Sequence, residues 1–376
     1  MSTVLILSAS TGNGHNQAAN SLKNELEASG YSVHITDPLR EEGKMMDTLI
    51  EEGYELLAAR MPKVYGKMYK ISDYNKLINK GVGNFLKITL RRTIFKLIQQ
   101  YQPDLLISTH PFYVNVVSYL KAKGKTDLPY IAVVTDYMAH RFYVNKYVDA
   151  YIVGSNYTKD TLIEKGAVAA NIYNYGIPIR KEFSQPRQAP KDDIFTLLIM
   201  GGSMGLSYMK KCLKSLLHNK HEFRVFVVCG NNAKLKDELE AKFSGHRKGK
   251  EIIVYGFCPN IPELMDQSDV IITKPGGLTA TEAINKNIPM LIPFYIPGQE
   301  EENAEILVNA GVAIRITDIS KLNEVVDRFF REPSLLENMR RNAQKLSAER
   351  SPGDIVQLAA KLIYPKKQKK SFQLNA

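Results

Sequence analysis

The sequence predicts an α/β protein of two doubly wound parallel sheets. Short apolar runs recur along the 376 residues, helical stretches separate most of them, and the pattern restarts after a proline-punctuated join near residue 180. Runs of this kind read as strands buried on both faces, as parallel sheets covered by helices require. In order, the first half gives Val4–Leu7, a helix from about His15 to Ala28, and Ser32–Thr36. A long basic helical region follows, then Leu105–Ser108, Ile131–Val134, Tyr151–Val153 and Ile172–Tyr175. The second half restarts at Phe195–Met200 and runs through Arg224–Val228, Ile252–Val254, Val270–Thr273 and Met290–Ile292. Gly176-Ile177-Pro178 and the stretch from Gln185 to Pro190 form the linker. Two Rossmann-like domains facing a cleft are the architecture these runs predict.

Composition narrows the class. A hydrophobic fraction of 44% and a charged fraction of 24% are those of a soluble globular protein. Cys212, Cys229 and Cys258 lack CxxC spacing and read as reduced residues of a cytosolic protein. There is no apolar stretch of roughly 18 residues and no signal peptide, since the chain enters its first strand at once. The seven histidines show no metal-ligand spacing.

The net charge of +11 is unevenly placed. Residues 61–100 carry nine bases, among them Lys63, Lys67, Lys70, Arg91 and Arg92, against one acid, Asp73. Tyr65, Tyr69, Tyr74, Phe85 and Phe95 are interleaved with them. Such a segment suits an anionic membrane surface, at about 1 kcal/mol per basic residue near it. A solvated helix face is the plainer reading. Nucleic acid is disfavoured, because no RNP, helix-turn-helix or zinc pattern accompanies the charge.

The chemistry-bearing run is Lys274-Pro275-Gly276-Gly277-Leu278-Thr279-Ala280-Thr281-Glu282. A strand running through a glycine turn into a helix aims unpaired N–H groups and the positive end of the helix dipole at one point, which suits a diphosphate. Glu282 lies one turn into that helix, where a carboxylate can take both hydroxyls of a ribose. Gln299-Glu300-Glu301-Glu302-Asn303 opens the next helix with donors and acceptors that match a sugar's vicinal hydroxyls. The turn is not a Walker loop, because no Gly-Lys-Ser/Thr follows the glycines. Further glycine loops follow the first strand of each half, through Gly12 and Gly14 and through Gly201, Gly202 and Gly205. In doubly wound sheets ligands sit beyond the carboxyl ends of the strands.

Taken together, these motifs resemble glycosyltransferase family 28, in the branch of bacterial diacylglycerol glucosyltransferases and plant monogalactosyldiacylglycerol synthases. The residues that carry the resemblance are Thr11-Gly12-Asn13-Gly14-His15, Val134-Thr135-Asp136-Tyr137-Met138-Ala139-His140 and Tyr175-Gly176-Ile177-Pro178. Gly256-Phe257, Asn260 to Met265, Thr273 to Gly277, Glu282 and Pro297 to Glu301 with Asn303 complete them. The resemblance implies a GT-B fold, with an acceptor- and membrane-binding domain over 1–180 and a UDP-sugar-binding domain over 181–350. A C-terminal helix and basic tail over 351–376 would cross back to the first domain. The implied reaction is inverting, metal-independent transfer of a hexose from a UDP-sugar to diacylglycerol or a glycosyl-diacylglycerol, with no cofactor.

By the same resemblance Gly256 and Phe257 lie near the uracil and Glu282 holds the ribose. Gly276, Gly277, Leu278 and Thr279 seat the diphosphate with Gly202 and Ser203 opposite, while Gln299 and Glu300 meet the hexose. Asp136 is the family's favoured base, and His15 is the alternative as base or orienting group. Both also have a structural reading, His15 as a helix cap and Asp136 as a turn residue. Gly14, His140, Tyr143 and the five bases named above are placed with the acceptor and the membrane. Tyr143 or Phe142 stands where the family commonly has a tryptophan, a residue type this chain lacks. The expected setting is the cytoplasmic face of the cell membrane, peripherally bound. Competing functions are transfer to a soluble or polyprenyl-linked acceptor, a UDP-sugar 2-epimerase, and a non-catalytic UDP-sugar sensor.

Overall fold

The structure is a computed structural model that describes residues 1–10, 13–42, 61–185, 191–201, 206–349 and 353–374. It divides into two compact units, Met1–Ile179 with Pro297–Gln299 and Glu349–Ala376, and Arg180–Ile296 with Glu300–Ala348. Most of the predicted linker, 186–190, lies outside the described residues, as do Gly202 and Ser203.

In the first unit, β1 (Thr3–Leu7) leads into α1 (Asn13–Ala28), then β2 (Ser32–Thr36) and α2 (Pro38–Glu42). The basic region forms α3 (Pro62–Tyr74) and α4 (Lys76–Tyr101). Then come β3 (Leu105–Ser108), α5 (Pro111–Ala122), β4 (Tyr130–Val133), β5 (Ala150–Ile152), α6 (Asn156–Glu164) and β6 (Ile172–Tyr173). The six strands pair in parallel in the order β2-β1-β3-β4-β5-β6. Winding proceeds both ways from β1, so the crevice between the loops after β1 and β3 is the topological switch point.

Alternate residues of β1 explain why the run is apolar throughout. Leu5 and Leu7 pack in a core with Leu86, Leu90, Ile94 and Leu97 of α4. Val4 and Ile6 face the opposite way, into a core with Ala19, Leu22 and Leu26 of α1. Both faces are dry, as a helix-covered parallel sheet demands. That second core also takes Ile355, Leu358, Ala359 and Ile363 from the last helix.

The second unit begins with β7 (Thr196–Met200), α7 (Leu206–Leu216), β8 (Phe223–Val228) and α8 (Ala233–Phe243). A short edge pair follows, β9 (Gly245–Arg247) with β10 (Lys250–Tyr255), and then α9 (Ile261–Asp266), β11 (Val270–Thr273) and α10 (Gly277–Asn285). Next are β12 (Met290–Ile292), α11 (Gln299–Asn309), β13 (Ala313–Arg315), α12 (Leu322–Arg331) and α13 (Pro333–Ala348); α14 (Ile355–Leu374) ends the chain. The sheet order is β13-β12-β11-β7-β8-β10-β9, parallel except for β9. Here the switch point lies between β7 and β11, whose outgoing loop is the glycine turn. Every strand read from the sequence is present. The two it missed are β9, a three-residue exposed edge, and β13, which is only three residues long.

Candidate active site

In the first unit the site residues gather at the switch point. Gly14 and His15 lie in the first turn of α1. His15 Nδ1 is 2.7 Å from the carbonyl oxygen of Thr109 and 3.0 Å from Thr135 Oγ1. A carbonyl only accepts, so Nδ1 carries the proton and donates it, and Nε2 keeps its lone pair. The ring stands edge-on to His110, 4.4 Å between centroids. Burial pulls the His15 pKa below the ordinary histidine value, opposed by the negative charge of Asp136 and by the Thr109 carbonyl. His110 is pushed much further down by burial and by His15, and its Nδ1 accepts the N–H of Phe112, capping α5.

Asp136 is buried in the loop after β4. Gln299, from the Pro297–Gln299 segment of the same unit, donates its side-chain amide to Asp136 Oδ2. The family resemblance places Gln299 with the donor hexose; in this structure its amide is engaged with the Asp136 carboxylate.

His140 and Tyr143 lie inside the unit, not on a surface a membrane can touch. Both are buried in the 3-10 turn after Asp136. His140 Nδ1 accepts the N–H of Phe142 and its Nε2 lies 3.1 Å from Ser72 Oγ. Burial outweighs the attraction of Asp73 and lowers the His140 pKa to about 4. By contrast Lys63, Lys67 and Lys70 are exposed on α3, Arg92 is exposed on α4 and Arg91 is half-buried there.

The same surface holds side chains that water does not favour. Val64, Met68 and Ile71 follow one another at helical spacing on α3, each next in sequence to one of the three lysines, with Met68 56% exposed. On α4, Phe85 and Ile88 are exposed on the side away from its core row.

The second unit builds the phosphate seat. Gly276 is the N-cap residue of α10 and no side chain caps it, which leaves the first N–H groups of that helix for a ligand. The turn is pinned from behind. Asn303 Nδ2 donates to the Pro275 carbonyl at 3.1 Å, and Lys274 Nζ pairs with Glu300 Oε1. Glu300 Oε2 takes the N–H of Ile296 at 3.0 Å, so both of its oxygens serve the protein in this structure. Glu282 is 6% exposed, and burial pushes its pKa up to about 7 against the opposing charge of Arg180. Gly256 follows β10 half-buried, and Phe257 beside it is 74% exposed. Gly202 and Ser203, expected opposite the seat, lie outside the described residues.

Asp73 belongs to none of the motifs in the sequence. It is 2% exposed and is engaged by Lys165, Arg141 and, more distantly, His140. Its one signal was to be the single acid among nine bases.

Known proteins match both units. The family model of monogalactosyldiacylglycerol (MGDG) synthase matches residues 15–179, and that of the glycosyltransferase family 28 C-terminal domain matches residues 196–352. A Bacillus licheniformis protein named processive diacylglycerol beta-glucosyltransferase is 32% identical over 381 residues, 97% of each chain. Its namesake in Bacillus subtilis is 31% identical over 355 residues, 91% of each. Among solved structures, Acinetobacter baumannii MurG superposes with a TM-score of 0.63 at 14% identity, covering 96% of this chain and 100% of that one. The glycosyltransferase SsfS6 of Streptomyces sp. SF2575 gives 0.54 at 14%, covering 95% and 99%. These two show the fold, which is GT-B. The chain is a glycosyltransferase and belongs to family 28, in the branch of the bacterial diacylglycerol glucosyltransferases and monogalactosyldiacylglycerol synthases.

Proposed function

We propose that this enzyme transfers a hexose, glucose in the first instance, from a UDP-sugar to diacylglycerol or a glycosyl-diacylglycerol. The reaction inverts the anomeric carbon, uses no metal ion, and takes place at the cytoplasmic surface of the membrane. What carries the acceptor assignment is the similarity, along nearly the whole chain, to proteins named processive diacylglycerol beta-glucosyltransferases.

The donor fits the second unit by chemistry. The uncapped start of α10 receives the diphosphate, buried Glu282 accepts the ribose hydroxyls, and exposed Phe257 offers its ring to uracil. As the bond from C1 to the β-phosphate oxygen breaks, UDP takes the electron pair. Fixed N–H dipoles at Gly277 to Thr279 meet that charge where it develops. The acceptor hydroxyl attacks C1 from the opposite face and gives its proton to His15 Nε2. Asp136 then faces an imidazolium, and its charge favours the protonated ring. The exposed lysines and apolar side chains of α3 and α4 hold the enzyme on anionic lipid, the bases in the headgroups and the Met, Val, Ile and Phe side chains deeper.

The test is UDP release from UDP-glucose with and without diacylglycerol in anionic vesicles, the lipids being resolved. Release that depends on diacylglycerol and yields a glucosylated lipid is expected. Release without a lipid product would assign another acceptor, an epimerase or hydrolysis, and tight UDP binding without turnover would leave a different donor sugar or a sensor.

A further inference from the structure

Helix α3 carries the cationic, apolar surface, yet its inner side is tied to both chain segments that reach Asp136. At its C-terminal end, Asp73 Oδ1 accepts the N–H of Arg141 at 2.6 Å, and the Asp73 carbonyl accepts Arg141 Nε at 2.9 Å. Asp73 Oδ2 takes Lys165 Nζ at 2.7 Å, and the same ammonium donates to the Ala139 carbonyl at 2.6 Å. Ser72 Oγ adds its contact to His140. Residues 139–141 are the continuation of the loop that begins at Asp136, so this end of α3 fixes the run of chain from the carboxylate onward.

One and two turns earlier, α3 meets the other segment. A Cβ on Gly66 would lie 2.6 Å from Pro297 Cβ, and one on Gly298 would lie 3.0 Å from the Tyr69 ring. Gly298 sits at φ +98°, a backbone state glycine adopts freely, and the next residue, Gln299, donates to Asp136. The ring of Tyr69 also lies 4.9 Å from that of His140, between the two segments. The ties close through the backbone: α3 holds Arg141, the chain runs back from Arg141 to Asp136, and Asp136 takes Gln299, whose neighbour Gly298 packs on α3.

We propose that Asp73 and Tyr69 are positioning residues. Through them α3 sets the place of Asp136, so that lipid docking on the outer side of α3 and readiness for proton transfer beside His15 are coupled. Ion-pair geometry favours this over a purely structural role. Asp73 is among the most buried of the charged groups, one of its oxygens takes the Arg141 N–H in the Asp136 loop, the other reaches that loop through Lys165 and the Ala139 carbonyl, and its helix otherwise presents bases outward. The inference rests on the proposed lipid acceptor and goes beyond it, by making the docking helix part of the catalytic geometry.

The experiment compares initial rates on diacylglycerol in anionic vesicles with rates on a short-chain diacylglycerol dispersed as monomers. The full-length chain is assayed as wild type, Asp73→Asn and Asp73→Glu. For the wild type the vesicle rate should exceed the monomer rate. Asp73→Asn should cut the ratio about tenfold or more, since small misplacements at a reacting centre are costly. Vesicle sedimentation and UDP affinity should stay within about twofold of wild type, and Asp73→Glu should recover part of the ratio. If Asp73→Asn does not fold, Tyr69→Leu carries the same expectation. A variant that lowers both rates equally, or leaves the ratio unchanged, overturns the coupling, as does a wild-type ratio of one. In those cases a glucosylated lipid still forms and the assigned reaction stands, whereas absence of any glycolipid from the wild type overturns both.

Discussion

Glu282 shows how one residue can set two opposite pH dependences. Its folded pKa of about 7 stands above the ordinary glutamate value of 4.5, because a carboxylate buried there is poorly solvated. Between those values the folded protein holds a proton that the unfolded chain releases, so this group's contribution to stability falls as pH rises across the window and is flat above it. Glu282→Gln should therefore be more stable than wild type above pH 7, by up to roughly 3 kcal/mol, with the difference vanishing near pH 4.5. Thermal melts of both proteins at several pH values read this directly, and equal melting at pH 8 would contradict it. Ribose hydroxyls need the ionised form as acceptor, so wild-type affinity for UDP should weaken as pH falls through 7. Glu282→Gln should bind UDP weakly at every pH, which titration calorimetry resolves. His15 obeys the reverse logic. Its lowered pKa keeps the imidazole neutral below the usual histidine midpoint, so His15→Gln should lose turnover while retaining UDP binding. Where Glu282 sits was legible from spacing, because a glycine turn, a helix start and an acid one turn on are local in sequence. What Gln299 and Glu300 touch was not. The partner of Gln299 is 163 residues away and the base paired with Glu300 is 26 away, and nothing in a run of acids and amides names either.

Elements show where a sequence pattern stops short. The basic stretch was readable as amphipathic helix, and α3 and α4 are there. The core row of α4, Leu86, Leu90, Ile94 and Leu97, is also plain from its spacing. Less plain was that α4 is apolar on a second side, where Phe85 and Ile88 stay exposed, with Ile88 at 67%. A surface with both charge and apolar side chains should bind lipid by two separable forces. Replacing Lys63, Lys67 and Lys70 by Gln should weaken sedimentation with anionic vesicles by about 3 kcal/mol, near a hundredfold, and the loss should shrink as salt is raised. Replacing Met68 and Ile88 by Ser should weaken it nearly independently of salt. Identical salt responses for the two variants would rule out this division. Neither set should alter UDP affinity. The inner side of α3 was invisible to sequence reading for a different reason. Its ties to Arg141 and Lys165 span 68 and 92 residues, and helical periodicity reports which side is apolar, not which acid finds which base.

At the scale of the molecule, the alternation of strands and helices was enough to predict two parallel sheets, because each strand must be apolar on both faces and each crossover needs a helix. The role of the last helix is the less local feature. α14 contributes Ile355, Leu358, Ala359 and Ile363 to the same core as Val4, Ile6, Leu105 and Ile131, so the final segment covers one face of the first sheet. Asn174 Nδ2 reaches the Glu349 carbonyl at 3.2 Å, and a Cβ on Gly353 would lie 3.1 Å from the Tyr175 hydroxyl, which holds the approach to α14 against the end of β6. Three large aliphatic side chains buried there are worth on the order of 5 kcal/mol, a sizeable share of the stability of one domain. Ending the chain after Gly353 should therefore destabilise the first unit, although all the sheet residues of that unit remain. In limited proteolysis the earliest cuts should fall within 1–179, while peptides spanning 206–348 stay protected. Cuts appearing first in the second unit, or a melting profile unchanged from the full chain, would show that the sheet is held without α14. Supplying residues 354–376 as a separate peptide should restore protection to the first unit in proportion to its concentration, as linkage requires of a segment that binds only the folded state.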